Sequence, residues 1–211
     1  NLKKFFVECC VESLDQAIKA EKKGADQIEL CKNLKDDGLT PDIDIVSNAL
    51  NKVSVPIKIM VRPRKGNFIY SESEIIQIKN QIMNLKVLGV EEIVFGALNQ
   101  NNNVDFEQIK RVADWSYPMK ITFHKAIDYS SNFFDDIKSL IKIDGVKSIL
   151  TSGKSSSAKI GASTIKKAVK NYQSSINVIA AGKITNKNLD SIHKLINGRY
   201  YHGKNILGKL S

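Results

Sequence analysis

Eight repeats of a short β-like run followed by an amphipathic helical segment constrain the fold of this chain more than any other feature. The runs span residues 5–10, 27–31, 57–63, 92–98, 120–126, 148–153, 176–182 and 199–203. Strands that alternate with helical segments in this way predict βα units and a parallel sheet. No linker or low-complexity stretch divides the series, so we expect residues 1–211 to form a single domain.

The helical segments carry their own boundary signals. Ser71 and Glu74 have the spacing of a capping box, and Ser13 and Gln16 repeat it. Apolar residues then recur at helical period at Ile75, Ile78, Ile82 and Leu85. Gly89 follows as a stop signal, so this segment is predicted to be an amphipathic helix between a parallel pair of strands.

Eight βα units are the number that closes a TIM (β/α)8 barrel. The alternative is a doubly wound open sheet, but no G-x-G-x-x-G motif follows the first run. We therefore predict an α/β TIM barrel. Only residues 204–211 follow the last run, so we expect the last helix to be truncated or missing.

The formal net charge of +10 raises the question of nucleic-acid binding. Most of this charge is scattered lysine, and no basic run is interleaved with aromatic residues as a single-strand binder requires. No recognition-helix or zinc-finger pattern is present either. The sequence therefore favours a protein that does not bind nucleic acid.

The remaining bulk features predict a cytoplasmic protein. No stretch approaches the roughly 20 apolar residues of a membrane span, and "NLKKFFVECC" lacks the apolar segment of a signal peptide. The three cysteines (Cys9, Cys10 and Cys31) cluster near the start and do not resemble a disulfide framework, which favours a reducing compartment.

Polar residues late in the predicted strands mark a candidate active site. Active sites of TIM barrels lie at the carboxyl ends of the strands, where Glu8, Glu29, Arg62 and His124 are expected. Two neighbouring carboxylates can act as acid and base because their pKa values separate. Arg62 could hold a carboxylate or phosphate, and His124 could transfer a proton. The alternative is a structural ion-pair network inside the barrel.

Cys10 and Cys31 each follow a glutamate by two residues, on runs expected to be adjacent. Two thiolates with the thioether of Met60 nearby would suit Cu(I) by ligand softness. Buried cysteines also occur as small hydrophobic residues, so plain core packing is the alternative. Cys9 is expected to face the helix layer.

The loops after the sixth and seventh runs are candidates for anion binding. TIM barrels often bind phosphate near the end of the chain, and a helix N-terminus suits an anion. Gly153 lies in "TSGKSSSA", and Gly182 and Lys183 lie in "AAGKITNKN", which leads to a helix start expected near residues 185–186.

Several motifs, in order and spacing, resemble the CutC family of copper homeostasis proteins. These are "ECCVES", "GADQIELC", "DGLTPD", "IMVRPRKGNFIYS", "IVFGAL", "ITFHKAID" and "ILTSG". The resemblance extends from Glu8 to about His202. It implies a TIM barrel, a cytoplasmic location, self-association as a homodimer or higher oligomer, and a role in copper handling.

The resemblance also implies roles for particular residues. Cysteines proposed as Cu(I) ligands in the family fall on Cys10 and Cys31, and Arg64 matches a family motif position that we assign to anion binding. Departures from the family pattern are Gln27 and Lys125 in place of arginines, and "AAGKI" where the family has "PGGGI". Fewer glycines there reduce close backbone approach to an anion.

Two functions of different class follow. The first is cytosolic binding or buffering of Cu(I) through Cys10 and Cys31. The second is an enzyme that uses Glu8, Glu29, Arg62 and His124 on a small anionic metabolite. A variant of the second makes Glu8, Glu29 and His124 ligands of a harder divalent cation.

Overall fold

Eight parallel strands close into a barrel in sequence order, with β8 pairing with β1. The structure is a computed structural model that describes residues 4–211; residues 1–3 of the predicted domain lie outside the described residues. The strands are β1 Phe6–Val11, β2 Gln27–Leu30, β3 Ile57–Met60, β4 Glu92–Phe95, β5 Lys120–Phe123, β6 Val146–Thr151, β7 Asn177–Ala180 and β8 Tyr200–Gly203. The predicted TIM barrel is confirmed.

Among residues 4–211, seven α-helices surround the barrel, one after each strand from β1 to β7. They are α1 Leu14–Lys22, α2 Ile43–Lys52, α3 Glu72–Val87, α4 Phe106–Ser116, α5 Phe133–Leu140, α6 Ala162–Tyr172 and α7 Leu189–Ile196. Short 3-10 helices at Leu34–Asp36 and Lys125–Tyr129 follow β2 and β5. Within the described residues no helix follows β8, as the short tail predicted. None of these helices is long and apolar enough to cross a membrane.

The local helix signals act as expected at α3. Ser71 caps the helix by accepting the N–H of Glu74, and the Glu74 side chain accepts the N–H of Ser71 in return. The four apolar residues at helical period are all buried. The helix ends next to Gly89, which has a φ of 83° that glycine adopts without strain.

Helix α7 begins later than the sequence predicted. The sequence predicted a helix beginning near residues 185–186, but α7 begins at Leu189 with Asn188 as its N-cap. The Asn188 side chain instead accepts the N–H of Thr185 and donates to the carbonyl of Lys183. This side chain holds the preceding segment as a turn, since asparagine bonds locally to backbone groups outside helices.

Several strands stop earlier than the apolar runs predicted. β3 ends at Met60 and β5 ends at Phe123, whereas the runs extended to residues 63 and 126. Arg62 and His124 therefore lie just beyond the ladder, at the carboxyl-terminal mouth. Along each strand, side chains alternate between the helix layer and the barrel interior, which puts Cys9 in the main apolar core and Cys10 inside the barrel.

Candidate functional site

A buried ion-pair lattice occupies the middle of the barrel. Lys58 Nζ lies 2.9 Å from Glu8 Oε2 and 3.2 Å from Glu92 Oε2, and it donates to Thr122 Oγ1 at 2.9 Å. The Lys58–Glu8 contact is an ion pair between two buried side chains. Opposite charges pair here because unpaired charges in the interior are costly. The sequence analysis did not identify Lys58 and Glu92. Side chains two residues apart on a strand share a face, so Lys58 could have been assigned to the same face of β3 as Met60.

His202 joins this lattice from β8. Its Nδ1 lies 2.7 Å from Glu8 Oε1. Burial acts to raise the pKa of Glu8, but the charge of Lys58 and the hydrogen bond with His202 outweigh it and lower the pKa to about 2. Burial acts to lower the pKa of His202, but Glu29, Cys10 and Glu8 raise it well above its usual value. Glu8 is therefore an ionised carboxylate whose negative charge is balanced by Lys58 and His202.

Ligand atoms of Glu8, Glu29 and His202 lie within 4.8 Å of one another. The two glutamates expected to be neighbours are thus brought together by β1 and β2. The histidine beside them is His202 of β8, which pairs with β1, and not the His124 expected from the sequence. A divalent-cation site of Glu8, Glu29 and His124 is consequently not assembled in this structure.

Cys10 and Cys31 form a thiol cluster with Glu29 at the mouth side of the lattice. Their sulfurs lie 3.8 Å apart, and Glu29 Oε1 lies 3.5 Å from Cys10 Sγ and 3.2 Å from Cys31 Sγ. Met60 packs with both cysteines in a small apolar group inside the barrel. We use "thiol cluster" below for Cys10, Cys31, Glu29 and Met60.

The surroundings of Cys31 favour its protonated thiol. The hydrogen bond with Cys10 and burial raise the pKa of Cys31 well above its usual value, and nearby Glu29 adds to this effect. Gly38 closes the cluster from the β2–α2 loop: a Cβ at this position would meet Cys31 Sγ at 3.0 Å. Its φ of 90° also favours glycine, so this loop comes closer to the thiols than a larger residue allows.

Arg62 and His124 lie together in a second cluster at the mouth. The Arg62 guanidinium carbon is 5.0 Å from the Phe68 ring centre, and the His124 and Phe68 ring centres are 4.9 Å apart. Arg62 Nη1 donates to the carbonyls of Asp36 and Gly38, and Nη2 donates to Gly66. Of the four residues predicted to form one acid–base site, Glu8 and Glu29 lie together beside His202, and Arg62 and His124 both contact Phe68.

Tyr70 belongs to this second cluster and was missed in the sequence. Burial raises the pKa of its phenol to about 12, although the positive charge of Arg62 acts to lower it. The Arg62 guanidinium lies near enough to donate weakly towards this hydroxyl, but no well-formed hydrogen bond satisfies it. We call Arg62, Tyr70 and His124 the donor cluster. The "G-x-F-x-Y" spacing that carries Phe68 and Tyr70 was visible, but aromatic residues in a loop give no chemical signal alone.

Arg64 is engaged within its own loop. Its Nε lies 2.6 Å from Glu74 Oε1, and its other nitrogens donate to the carbonyls of Asn67 and Ile69. These contacts link the β3–α3 loop to the first turn of α3. Arg64, which was predicted to bind an anion, is therefore already paired with the Glu74 carboxylate.

The loops that hold Gly153, Gly182 and Lys183 pack against each other. A Cβ on Gly153, whose φ is 69°, would lie 2.3 Å from the carbonyl oxygen of Gly161. The carbonyl of Gly182 accepts the N–H of Ala158 at 2.9 Å. Small residues here permit close loop–loop contact, which gives these positions a structural use whether or not an anion binds.

Two cavities lie at the other end of the barrel. The larger, of about 720 Å³, is lined by residues at the starts of strands, among them Gln27, Ile57, Glu92 and Lys120. The smaller, of about 230 Å³, is lined in part by Phe6 and Tyr200. The amino-terminal end of a TIM barrel serves stability more than chemistry, so a functional site is expected at the carboxyl-terminal mouth.

Comparison with known proteins identifies relatives along almost the whole chain. A family model described as the CutC family matches residues 5–207. A copper homeostasis protein cutC homolog from Homo sapiens is 36% identical over 188 residues, covering 89% of this chain and 68% of the relative. A family protein CutC from Glaesserella parasuis is 37% identical over 190 residues, covering 90% and 76%.

Solved structures agree with the sequence matches. A CutC structure from Streptococcus agalactiae superposes with a TM-score of 0.90 at 27% identity, covering 96% of this chain and 99% of that one. A phosphoribosyl anthranilate isomerase from Thermococcus kodakaraensis superposes with a TM-score of 0.61 at 17% identity, covering 94% and 87%. The second likeness concerns the barrel fold alone.

Proposed function

This chain belongs to the CutC family, and from that premise we propose that it serves copper homeostasis by binding Cu(I) through Cys10 and Cys31. The observation that carries the proposal is the 3.8 Å distance between the two sulfurs. Two thiols on adjacent strands are thereby held at a separation that one metal ion can span. Soft thiolates are the ligands that Cu(I) prefers.

The sulfur separation also indicates the geometry of such a site. With thiolate–metal bonds of about 2.3 Å, sulfurs 3.8 Å apart subtend an angle of about 111° at a shared metal. This angle is bent and leaves space for a third ligand. Met60 packs against both thiols, and its soft thioether makes it the preferred third ligand over the harder Glu29 carboxylate.

The proposal includes a reducing, cytosolic setting and self-association. All three cysteines are free thiols in the structure, which is the state that a reducing compartment maintains. Self-association comes from the family resemblance. Light scattering of the purified chain measures its mass directly, and a mass of 23.5 kDa would contradict a dimer.

An acid–base enzyme is supported less by the geometry. A general acid or base needs a pKa near the operating pH and access to its substrate. Glu8 has a pKa of about 2 and is held between Lys58 and His202. Glu29 accepts from both thiols, so the predicted pair of acid and base is engaged in other contacts.

Anaerobic titration with Cu(I) against a competing chelator tests the proposal. We expect the wild-type chain to bind one equivalent and the Cys10→Ser/Cys31→Ser variant to lose this binding. Cys9→Ser is the matched control because Cys9 lies in the helix-layer core, with its sulfur 3.9 Å from the carbonyl of Lys204. This control variant should bind copper like the wild type.

Two results would contradict the assignment. One is weak binding that persists unchanged in the double variant, which would separate copper from the thiols. The other is equal loss in Cys9→Ser, which would indicate general unfolding or nonspecific thiol chemistry. Met60→Leu, which keeps the volume and removes the sulfur, should weaken binding without abolishing it if the thioether is the third ligand.

A further inference from the structure

Five buried side-chain atoms in the described residues have no hydrogen-bond partner. They are Glu8 Oε2, Arg62 Nε, Tyr70 Oη, Glu92 Oε1 and His124 Nε2. The two carboxylate oxygens are compensated by charge, since Lys58 Nζ lies 2.9 Å from Glu8 and Lys147 Nζ lies 3.7 Å from Glu92. The three atoms that have no partner of either kind are those of the donor cluster.

All three of these atoms are hydrogen-bond donors. Arg62 Nε and Tyr70 Oη each carry a hydrogen. His124 Nδ1 accepts the N–H of Ala126 at 3.1 Å, and burial together with the charge of Arg62 lowers the pKa of His124 to about 3. The neutral ring therefore carries its hydrogen on Nε2. Arg62 Nε and His124 Nε2 can only donate, and Tyr70 Oη can donate as well as accept. An acceptor-only ligand would therefore complete all three atoms.

The charge in this cluster is also uncompensated. Arg62 is 4% exposed, and among residues 4–211 no carboxylate lies within 4.0 Å of its guanidinium. Its Nη contacts are backbone carbonyls, which satisfy hydrogen bonds but do not neutralise the charge. Buried charges in proteins are normally paired. The donor cluster thus lacks one negative charge and at least one acceptor.

We propose that Arg62, Tyr70 and His124 form a binding site for the carboxylate group of a small molecule. A carboxylate is planar, carries one negative charge and offers four lone pairs to N–H and O–H donors. The half-buried Phe68 ring, which contacts both Arg62 and His124, provides an apolar surface for the carbon atoms of the ligand. This site is independent of the copper proposal.

A carboxylate fits better than a phosphate or a water molecule. Arg62 supplies one free positive charge because Arg64 is paired with Glu74. A phosphate dianion would therefore leave a buried excess of negative charge. Water would accept from two donors at most and would leave the guanidinium without a counter-ion.

The position of His124 depends on a residue that has no other evident use. Gly96 follows β4, and a Cβ there would lie 2.5 Å from His124 Cε1 and 2.6 Å from Nδ1. The imidazole therefore occupies the space that any other residue at position 96 would fill. Because this glycine has no positive φ, the space it leaves, and not its backbone freedom, is what the fold uses.

Nitrogen-15 NMR of arginine Nε–H groups tests the site directly. The chain has four arginines (Arg62, Arg64, Arg111 and Arg199), so the spectrum contains few signals. We titrate the full chain with sodium acetate and sodium propionate, and separately with inorganic phosphate, each at ionic strength matched with chloride. The signal of Arg62, identified by its loss in Arg62→Lys, should shift saturably with the carboxylates while the other three signals stay in place.

Variants then assign the donors. Tyr70→Phe removes only the hydroxyl and should weaken propionate binding about 3- to 10-fold, which is the value of one hydrogen bond. His124→Asn keeps an acceptor for the Ala126 N–H but has no group at Nε2, and it should weaken binding to a similar degree. Tyr117→Phe is the matched control, since Tyr117 is exposed, and it should bind like the wild type.

The proposal is overturned by any of three results. The first is an Arg62 signal that stays in place up to 100-fold excess ligand over protein at millimolar concentrations, or that moves equally with the other arginines. The second is unchanged affinity in both Tyr70→Phe and His124→Asn. The third is tighter binding of phosphate than of either carboxylate. Copper titration in the same variants should be unaffected, which separates this site from the thiol cluster.

Discussion

Lys58 and Arg62 lie four residues apart and are both almost fully buried, yet Lys58 is paired with carboxylates and Arg62 is not. Lys58 in β3 has two carboxylates and a hydroxyl around its ammonium group. Arg62, just past the end of the same strand, has backbone carbonyls on its Nη atoms and an unpartnered Nε. The buried charges in the middle of the barrel are paired with each other, whereas the charge of Arg62 at the mouth has no counter-ion among the described residues.

This difference distinguishes structural polar groups from functional ones. A buried network in which charges are matched makes the fold specific and leaves nothing for a ligand. Buried donors and a charge without partners reduce stability unless a ligand completes them, which is the usual condition of a binding site. The thiol cluster lies between these extremes, since its thiols bond to Glu29 but would gain a stronger partner in the proposed Cu(I).

The largest loss of stability should come from disrupting the ion-pair lattice around Lys58. Lys58→Met leaves Glu8 and Glu92 buried without their shared cation, and we expect it to lower the free energy of unfolding by about 3–5 kcal/mol. Urea denaturation at pH 7 measures this. Lys147→Met, at a half-exposed lysine 3.7 Å from Glu92, is the control and should cost at most about 1 kcal/mol. A loss from Lys58→Met no larger than the control's would mean that the lattice is not structural.

Arg62→Met should have a smaller effect although Arg62 is equally buried. The variant loses hydrogen bonds to three backbone carbonyls, but it also removes a charge that has no counter-ion. We expect the free energy of unfolding to fall by about 1–3 kcal/mol without added anion. The same urea experiment applies. A loss equal to that of Lys58→Met would remove the contrast between the two regions.

His124 makes the mouth sensitive to acid. Burial and the charge of Arg62 lower its folded pKa to about 3 from 6.5, so below pH 6.5 the unfolded state binds a proton that the folded state does not. Stability should therefore fall as the pH drops from 6.5 towards 3, with a limiting slope of about 1.4 kcal/mol per pH unit from this residue. His124→Asn should remove that slope. Urea midpoints between pH 7 and pH 4 measure it, and parallel profiles would contradict the prediction.

Glu8 should contribute in a narrower and more acidic window. Its pKa is lowered to about 2 from 4.5, so the stability it provides is complete above pH 4.5 and is lost as the pH falls towards 2. Glu8→Gln should flatten the profile between pH 4.5 and pH 2. Because Glu8 also raises the pKa of His202, the variant should additionally change the profile near and above neutral pH. Acid unfolding followed by circular dichroism below pH 4.5 measures the first effect, and a profile parallel to that of the wild type in this window would contradict the prediction.

The eight strands and their order were predictable because periodicity and capping are local properties. The apolar runs, the capping box at Ser71 and the stop at Gly89 all reappear in the structure. Strand ends were less predictable. An apolar run such as that at 57–63 continues past Met60, where β3 ends, because the burial of residues at the mouth keeps the pattern after the ladder has ended.

The pairing of the thiols was also accessible from the sequence. Cys10 and Cys31 each follow a glutamate by two residues, on consecutive strands of a parallel sheet, and the alternation of side chains then puts both inside the barrel. The proximity of Glu8 and Glu29 followed from the same reasoning. Both predictions depend only on neighbouring strands, whose relation the chain order determines in a TIM barrel.

What the sequence by itself determined is the barrel and the contacts between consecutive strands. The tertiary structure decided which groups from non-consecutive strands meet: Lys58 with Glu8 and Thr122, His202 with Glu8, and Arg62 with His124. The physical reason is that strand register and loop path across a closed barrel arise from packing of the whole chain. Local patterns carry the preferences of each segment, whereas the balance of buried charge appears only when all eight strands are in place.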